Sequence, residues 1–317
     1  MDLRSAALTL FFISGPLLAQ QGDLPAALPQ PVASPAVELS AGTARPQLAP
    51  ASLTADQIKQ LIQKVSENDI ENDKRSRDYT YIEREEDRKL DSNGEVKSTE
   101  STTSEVLIIY GSEVERAIAK NDKPLSEKDA KKEDEKIQKI IDKRKNETEE
   151  QRNKRLKAEE KEREEGRQWV KEISDAYDFR LIGTEDLNGR ATYVIDGTPR
   201  PGFQPHLKYA NYLSKFKFRV WIDEADAEVS KLDAECIGTV SWGWFIARLE
   251  KGAHILFEST RVNDEVWLPK HQAIQLDARL ALLESFHINQ DTTYRDYKKF
   301  RTDARVIGVA GEVQSPK

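Results

Sequence analysis

Cysteine occurs once in 317 residues, as Cys236, and the only methionine is the first residue. A lone thiol excludes an intramolecular disulfide and any metal site built from several thiolates. With Ala234 and Ile237 around it, Cys236 reads as a buried, inert thiol. Histidine is scarce too. His206, His254, His271 and His287 are far apart, and none stands at the spacing of a zinc-binding helix. His254 and His271 read as surface strand residues. No G-x-S-x-G elbow surrounds Ser241-Trp-Gly243, and no glycine-rich phosphate loop occurs. A net charge of -7, with both signs interspersed, leaves no basic face for nucleic acid. The acidic run Asp223, Glu224, Asp226 fits ordinary hairpin-turn chemistry. These absences argue against an enzyme, a metal site and a cofactor.

The one marked apolar run is at the start. Arg4 supplies a short positive region, Ala6 to Leu18 is mainly apolar, and Ala19 is a small residue before a cut. The run is short for a membrane span and a polar linker follows, so residues 1–19 read as a cleaved export signal. No cysteine follows to carry a lipid, and the mature chain is expected in the periplasm of a bacterial source. Residues 20–52 hold Pro25, Pro29, Pro31, Pro35, Pro46 and Pro50, and repeated proline gives a semi-extended tether. Residues 53–317 are ample for one folded domain.

That domain opens on a helix. Thr54 and Gln57 make a capping box, and Ile58, Leu61, Ile62, Val65 and Ile70 line one face at helical spacing. Strands then run from Arg77 to Leu90 and Glu95 to Tyr110 across an Asn-Gly turn, with a shorter one at Glu113 to Ala119. Residues 126–175 form a helical insertion that begins at a Ser126 cap. It is mostly charged, with one apolar cluster at Ile137, Ile140 and Ile141 and nothing apolar between Arg144 and Arg155. It lacks the sustained apolar heptads of a coiled coil, and side-chain pairs at i,i+4 would hold it as a solvated helix. Such a helix is a lightly docked appendage or an arm that docks a partner.

Beyond it, Phe216, Phe218, Val220 and Ile222 alternate with Lys217, Arg219 and Trp221, the mark of a strand with one buried face. Further strands are expected at 176–183, 190–198, 227–236, 240–249, 253–262, 265–276 and within 287–300. Together, about ten strands joined by short hairpins make an antiparallel meander. Val240 to Leu249 reads as one strand paired with Ala253 to Val262. Trp242, Trp244 and Ile246 would share one face of it, and Phe245, Ala247 and Leu249 the other. With both faces apolar, the strand is either ordinary core or the wall of an apolar pocket.

The stretches Phe218-Arg-Val-Trp-Ile-Asp223, Val229 to Glu235 and Val266-Trp-Leu-Pro269, with the export signal and the capped first helix, bring a family into view. Over residues 53–113 and 176–300 the chain resembles the periplasmic carriers of the outer-membrane lipoprotein-sorting family, the LolA/LolB-like proteins. The charged insertion and the proline-rich leader depart from that pattern. The resemblance implies an α+β fold: a curved, unclosed antiparallel sheet whose concave side is plugged by helices and holds acyl chains. On that reading the protein carries an acyl chain, a lipoprotein lipid or another amphiphile. Trp242, Trp244, Phe245, Ile255 and Phe257 would line the pocket, and Ile58, Leu61, Ile62 and Val65 would form the lid helix. The alternative is a non-catalytic envelope adaptor that docks a protein partner through residues 126–175.

Overall fold

Thr54 sets the start of the first helix. Its hydroxyl accepts from the Gln57 amide at 3.2 Å, and the Gln57 side chain accepts from the Thr54 amide at 2.8 Å. This capping box begins α1, Ala55–Ser76, and Lys74 and Arg75 in the last turn complement its carboxyl end. The computed structural model describes residues 52–91, 95–207, 209–242, 247–280 and 284–300. The expected export signal and nearly all of the proline-rich tether lie outside them.

After α1 come β1 Tyr79–Leu90, β2 Val96–Ile109, β3 Ser112–Lys120 and the short β4 Lys123–Pro124. Two helices follow, α2 Glu127–Lys145 and α3 Glu149–Arg167, then a 3-10 turn at Gln168–Glu172 and the short α4 Ile173–Ala176. The second half is β5 Tyr177–Leu187, β6 Arg190–Pro199, β7 Phe216–Asp223, β8 Val229–Cys236, β9 Val240–Trp242, β10 Ala247–Leu249, β11 His254–Val262, β12 Val266–Leu280 and β13 Glu284–Lys299. All the strand pairings are antiparallel, and the sheet is curved and unclosed.

The order is β4-β3-β2-β1-β13-β12-β11-β8-β7-β6-β5, so the meander expected from the sequence is broken twice. The first strand pairs with the last, β1 with β13, which joins the two hairpin runs into one sheet. The stretch 240–249 is also not one strand. Val240, Ser241 and Trp242 pair with Leu249, Arg248 and Ala247, so the chain folds back on itself there. β10 then pairs with β12, while β11 pairs with β8 and β12. The expected pairing of 240–249 with 253–262 fails because β8 already occupies that edge of β11. Trp244 and Ile246, expected to share a face with Trp242, lie outside the described residues.

The charged insertion differs from a single solvated helix. Asn146 ends α2, and a second capping box, Thr148 with Gln151, starts α3. The break falls where no apolar residue could hold a continuous helix to the body. α2 buries Ile137 against Ile109 and Val114, with Ile140 and Ile141 beside it. By register that is the face opposite the one α1 covers. α3 buries no residue fully, and polar contacts tie it to the β2–β3 turn. Arg155 reaches Glu147 at 2.9 Å and the Tyr110 carbonyl at 3.3 Å, and Arg144 reaches the Ile109 carbonyl at 2.7 Å. Among the described residues no helix is long and apolar enough to cross a membrane.

Candidate functional site

One cross-strand row defines the face that α1 covers. Leu181, Ile195, Val220, Leu232, Phe257, Gln272, Thr292, Glu85 and Thr102 stand opposite one another on nine successive strands. Side chains directly opposite in a ladder share a face, so this row is a cross-section of the inner face. From Leu181 to Phe257 it is apolar. From Gln272 onward it is polar, although Gln272 and Thr292 are buried. Along this row the inner face therefore passes from apolar to polar between β11 and β12.

α1 covers the apolar half. Ile58, Ile62 and Val65 are buried in one cluster with Ile195, Val220, Leu232, Ile255, Phe257 and Ile274, and Leu61 packs at its margin. Among the pocket residues expected from the sequence, Ile255 and Phe257 fall in the same buried cluster as the expected lid residues. Trp242 belongs to β9, but its side chain lies outside the described residues, as do Trp244 and Phe245 altogether. Trp221 and Trp267 lie away from this cluster. The Trp221 indole donates to Glu185 at 2.8 Å and the Trp267 indole to Asp226 at 3.0 Å. His254 and His271 are paired with Asp233 and Asp291 instead of with each other. Asp223 accepts from the Ala225 and Asp226 amides and binds Arg190, so the acidic turn serves its own hairpin. Cys236 is buried and free.

The C-terminal half of the same face of α1 is held by polar contacts. Asn72 donates to the Trp267 carbonyl at 2.6 Å and accepts from the Trp267 amide at 2.8 Å, completing a strand's backbone pairing with one side chain. Asn68 donates to the carbonyls of Asp226 and Ala227. Arg167 binds Asp69 and Asp73, both at 2.8 Å, and Arg77 bridges Asp73 to Glu160. Burial raises the Asp69 carboxyl above its usual range despite Arg167. Near it, burial and the Asp69 charge push Glu228 up to about 8. A cleft of about 230 Å³ opens between α1 and α3, lined by Ile70, Asp73, Arg77, Glu160, Arg163 and Arg167 among others.

The polar half holds residues that sequence reasoning missed. Tyr81 of β1 meets Tyr297 at a ring-centroid distance of 5.3 Å and Tyr294 at 6.0 Å, both tilted. Tyr294 and Tyr297 are three apart, a spacing that puts strand residues on opposite faces. A register shift between Thr80 and Ile82, opposite Asp296 with its φ of 58°, resets that parity. Next to Tyr81 stands Glu83, opposite Tyr294 in the ladder. Burial and the charges of Glu115, Glu85 and Glu113 push Glu83 up to about 8. The alternation Tyr79, Tyr81, Glu83, Glu85 was a readable signal for these strand neighbours. The bulge was not.

No family model matches the sequence, and neither does any curated protein. Solved structures similar to the chain include a domain described as an outer membrane lipoprotein-sorting protein from Vibrio parahaemolyticus. It is 13% identical with a TM-score of 0.31, over 77% of this chain and 95% of that one. A LolA-superfamily protein from Nitrosomonas europaea is 9% identical with a TM-score of 0.26, over 79% of this chain and 94% of that one. In the Pseudomonas aeruginosa MucA/MucB complex, one chain is 10% identical with a TM-score of 0.20, over 77% of this chain and 99% of that one. The lipoprotein-sorting family that the sequence resembles is thus among the solved structures similar to it.

Proposed function

We propose that this protein is a non-catalytic carrier, exported with residues 1–19 removed, that holds an acyl chain or other amphiphile on the inner face of its sheet. One observation carries the reading. The apolar half of that face is covered by α1 together with the turn at Gln168–Glu172, α4 and the turn at Ala210–Lys215, and side-chain clasps and ion pairs tie down the C-terminal half of α1. A guest chain entering beneath α1 exchanges contacts with Ile58, Ile62 and Val65 for contacts with itself. Each methylene taken from water contributes about 0.8 kcal/mol. Phe257 and Ile255 form the floor, and Trp242, Trp244 and Phe245 belong to its wall. Titrating delipidated protein with a fluorescent fatty acid tests this. Saturable binding is expected, and its absence from protein with an intact circular-dichroism spectrum defeats the proposal.

A second reading, an adaptor that docks an envelope protein through residues 126–175, rests on α3. That helix buries none of its residues and presents exposed Lys154, Lys157 and Lys161 along one side. Reversing those three charges leaves fatty-acid binding intact on the carrier reading and removes partner capture on the adaptor reading.

A further inference from the structure

Along the sequence the two signs of charge in residues 126–145 are interspersed, and no basic face is visible there. Folding separates them. α2 turns Ile137, Ile140 and Ile141 to the sheet, and helical spacing fixes which residues then point away. Lys128, Lys131, Lys132, Lys139 and Lys143 fall on the arc opposite Ile137, and all five are exposed. Glu135 and Asp142 are the acids on that arc, and Asp142 accepts from the Gln138 side chain at 2.9 Å. Three of the remaining acids of α2 are engaged elsewhere. Glu133 accepts from the Ala117 amide at 3.4 Å, and Asp134 stands 3.7 Å from Arg116. Asp129 accepts from the Ser126 hydroxyl at 2.7 Å and takes Lys132 at 3.0 Å.

The outward cations are left with little to neutralise them. Among the described residues Lys128, Lys131, Lys139 and Lys143 enter no ion pair and no side-chain hydrogen bond. Lys120 and Lys123 extend the same charge toward the amino end of α2, both exposed and opposite one another in the β3–β4 ladder. Like charges directly opposite in a ladder repel, so this pair contributes nothing to its own hairpin.

What the face lacks identifies its partner. Protein interfaces draw their binding energy from Trp, Tyr and Arg anchors and are depleted in Lys. The outward arc of α2 has no aromatic residue and no arginine to fill a pocket on another protein, and no apolar residue to enter a bilayer. A lysine ammonium is a compact point charge on a flexible stem. A row of them fits a diffuse, two-dimensional array of negative charge, and the headgroups of anionic lipids supply one. The net charge of -7 does not cancel that attraction. At physiological ionic strength exposed charges more than about 8 Å away are largely screened, so the residues at the contact decide.

We propose that the outward face of α2, with Lys120 and Lys123, docks this protein on an anionic lipid surface. The docking is electrostatic and reversible. α2 lies on the face of the sheet opposite the one α1 covers, so the docked protein leaves α1 free to move. The proposal rests neither on the acyl-chain chamber nor on the Lys154, Lys157 and Lys161 side of α3.

The test is co-sedimentation of the full chain with vesicles of phosphatidylcholine alone and of phosphatidylcholine mixed with phosphatidylglycerol. Partition onto the anionic vesicles is expected to be at least about tenfold stronger at low salt. High salt is expected to abolish the difference. The combined variant Lys128→Gln, Lys131→Gln, Lys139→Gln, Lys143→Gln is expected to lose the preference, and arginine at the same four positions to retain it. Fatty-acid binding by the glutamine variant is expected to be unchanged, so failure of either reading leaves the other standing. Equal partition onto both vesicles, or a preference that survives in the folded glutamine variant, overturns the proposal. Tighter binding of polyglutamate than of the anionic vesicles also overturns it and assigns the face to an acidic protein. Should the variant fail to fold, the salt series on the native protein decides, since a preference that persists at high salt is not electrostatic.

Discussion

Arg167 Nη2 lies 2.8 Å from Asp73 Oδ1, joining the last residue of α3 to the helix that covers the apolar core. The Asp73 side chain is 3% exposed, so its charge depends on the guanidinium groups around it. Arg167 also holds Asp69, whose charge acts on the buried Glu228. Replacing Arg167 by Ala removes one cation from two buried anions. The expected loss is about 3 kcal/mol, read from the midpoint of urea denaturation, because a buried charge is left undercompensated. Unchanged stability would mean that Arg77 and Arg163 suffice alone.

Asn72 is the cleanest clasp on α1. Its amide supplies both a donor and an acceptor to the Trp267 backbone. Asn72→Ala leaves an N–H and a C=O without those partners and is expected to cost about 2 kcal/mol. If α1 is a lid, the same variant binds the fluorescent fatty acid faster in stopped flow. A slower or unchanged association rate at reduced stability argues that α1 is fixed core.

Glu228 makes stability fall with pH. Its carboxyl is 7% exposed and titrates near 8 in the fold, raised first by burial and then by Asp69. In the unfolded chain it titrates near the ordinary glutamate value, about 4.3. Between those values the folded protein keeps a proton that the unfolded chain has lost, so stability drops as pH rises through that window. Glu228→Gln is expected to be more stable than the native protein by about 2 kcal/mol at pH 8, with the difference vanishing below pH 4. Denaturation midpoints of both proteins across this range provide the check. A constant difference would remove Glu228 as the source.

Gly197 is required by its neighbour. A Cβ built there would fall inside van der Waals contact with the Phe218 ring, which lies across it on the paired strand. That ring meets Tyr177 edge-on at 4.7 Å and cannot retreat freely. Gly197→Ala is expected to lose about 2 kcal/mol through overpacking, although alanine normally suits a strand better than glycine. Gly189, at the tip of the adjacent hairpin, has open space where a methyl would go and needs glycine only for its φ of 82°. Thermal melts of both alanine variants would separate a packing cost from a backbone cost.

Much of the fold was legible locally. The Thr54–Gln57 box, the Ser126 cap and the turn at Asn188-Gly189 were all readable because each uses residues within a few positions of one another. The apolar stripe Ile58, Ile62, Val65 was readable for the same reason, and all three are buried in one cluster with Ile255 and Phe257. The break in the charged insertion at Asn146 went unread, since a capping box inside a charged run looks like more of the same. The stretch 240–249 misled because ten residues rich in tryptophan and aliphatics look alike as one strand or two.

What the sequence by itself determined is where each element starts and stops and which of its faces is greasy, because caps, turns and alternation act through dihedrals and neighbours along the chain. What only the tertiary structure decided is which strands lie side by side. Pairing β1 with β13 brought Tyr81 and Glu83 against Tyr294, more than two hundred positions along the chain. The inner face changes from Phe257 to Gln272 within one ladder step, and the bulge opposite Asp296 turns two tyrosines of unlike parity to one side. Strand pairing is set by total burial across the whole sheet, and a bulge moves every later side chain to the other face, so neither is written in any short window of residues.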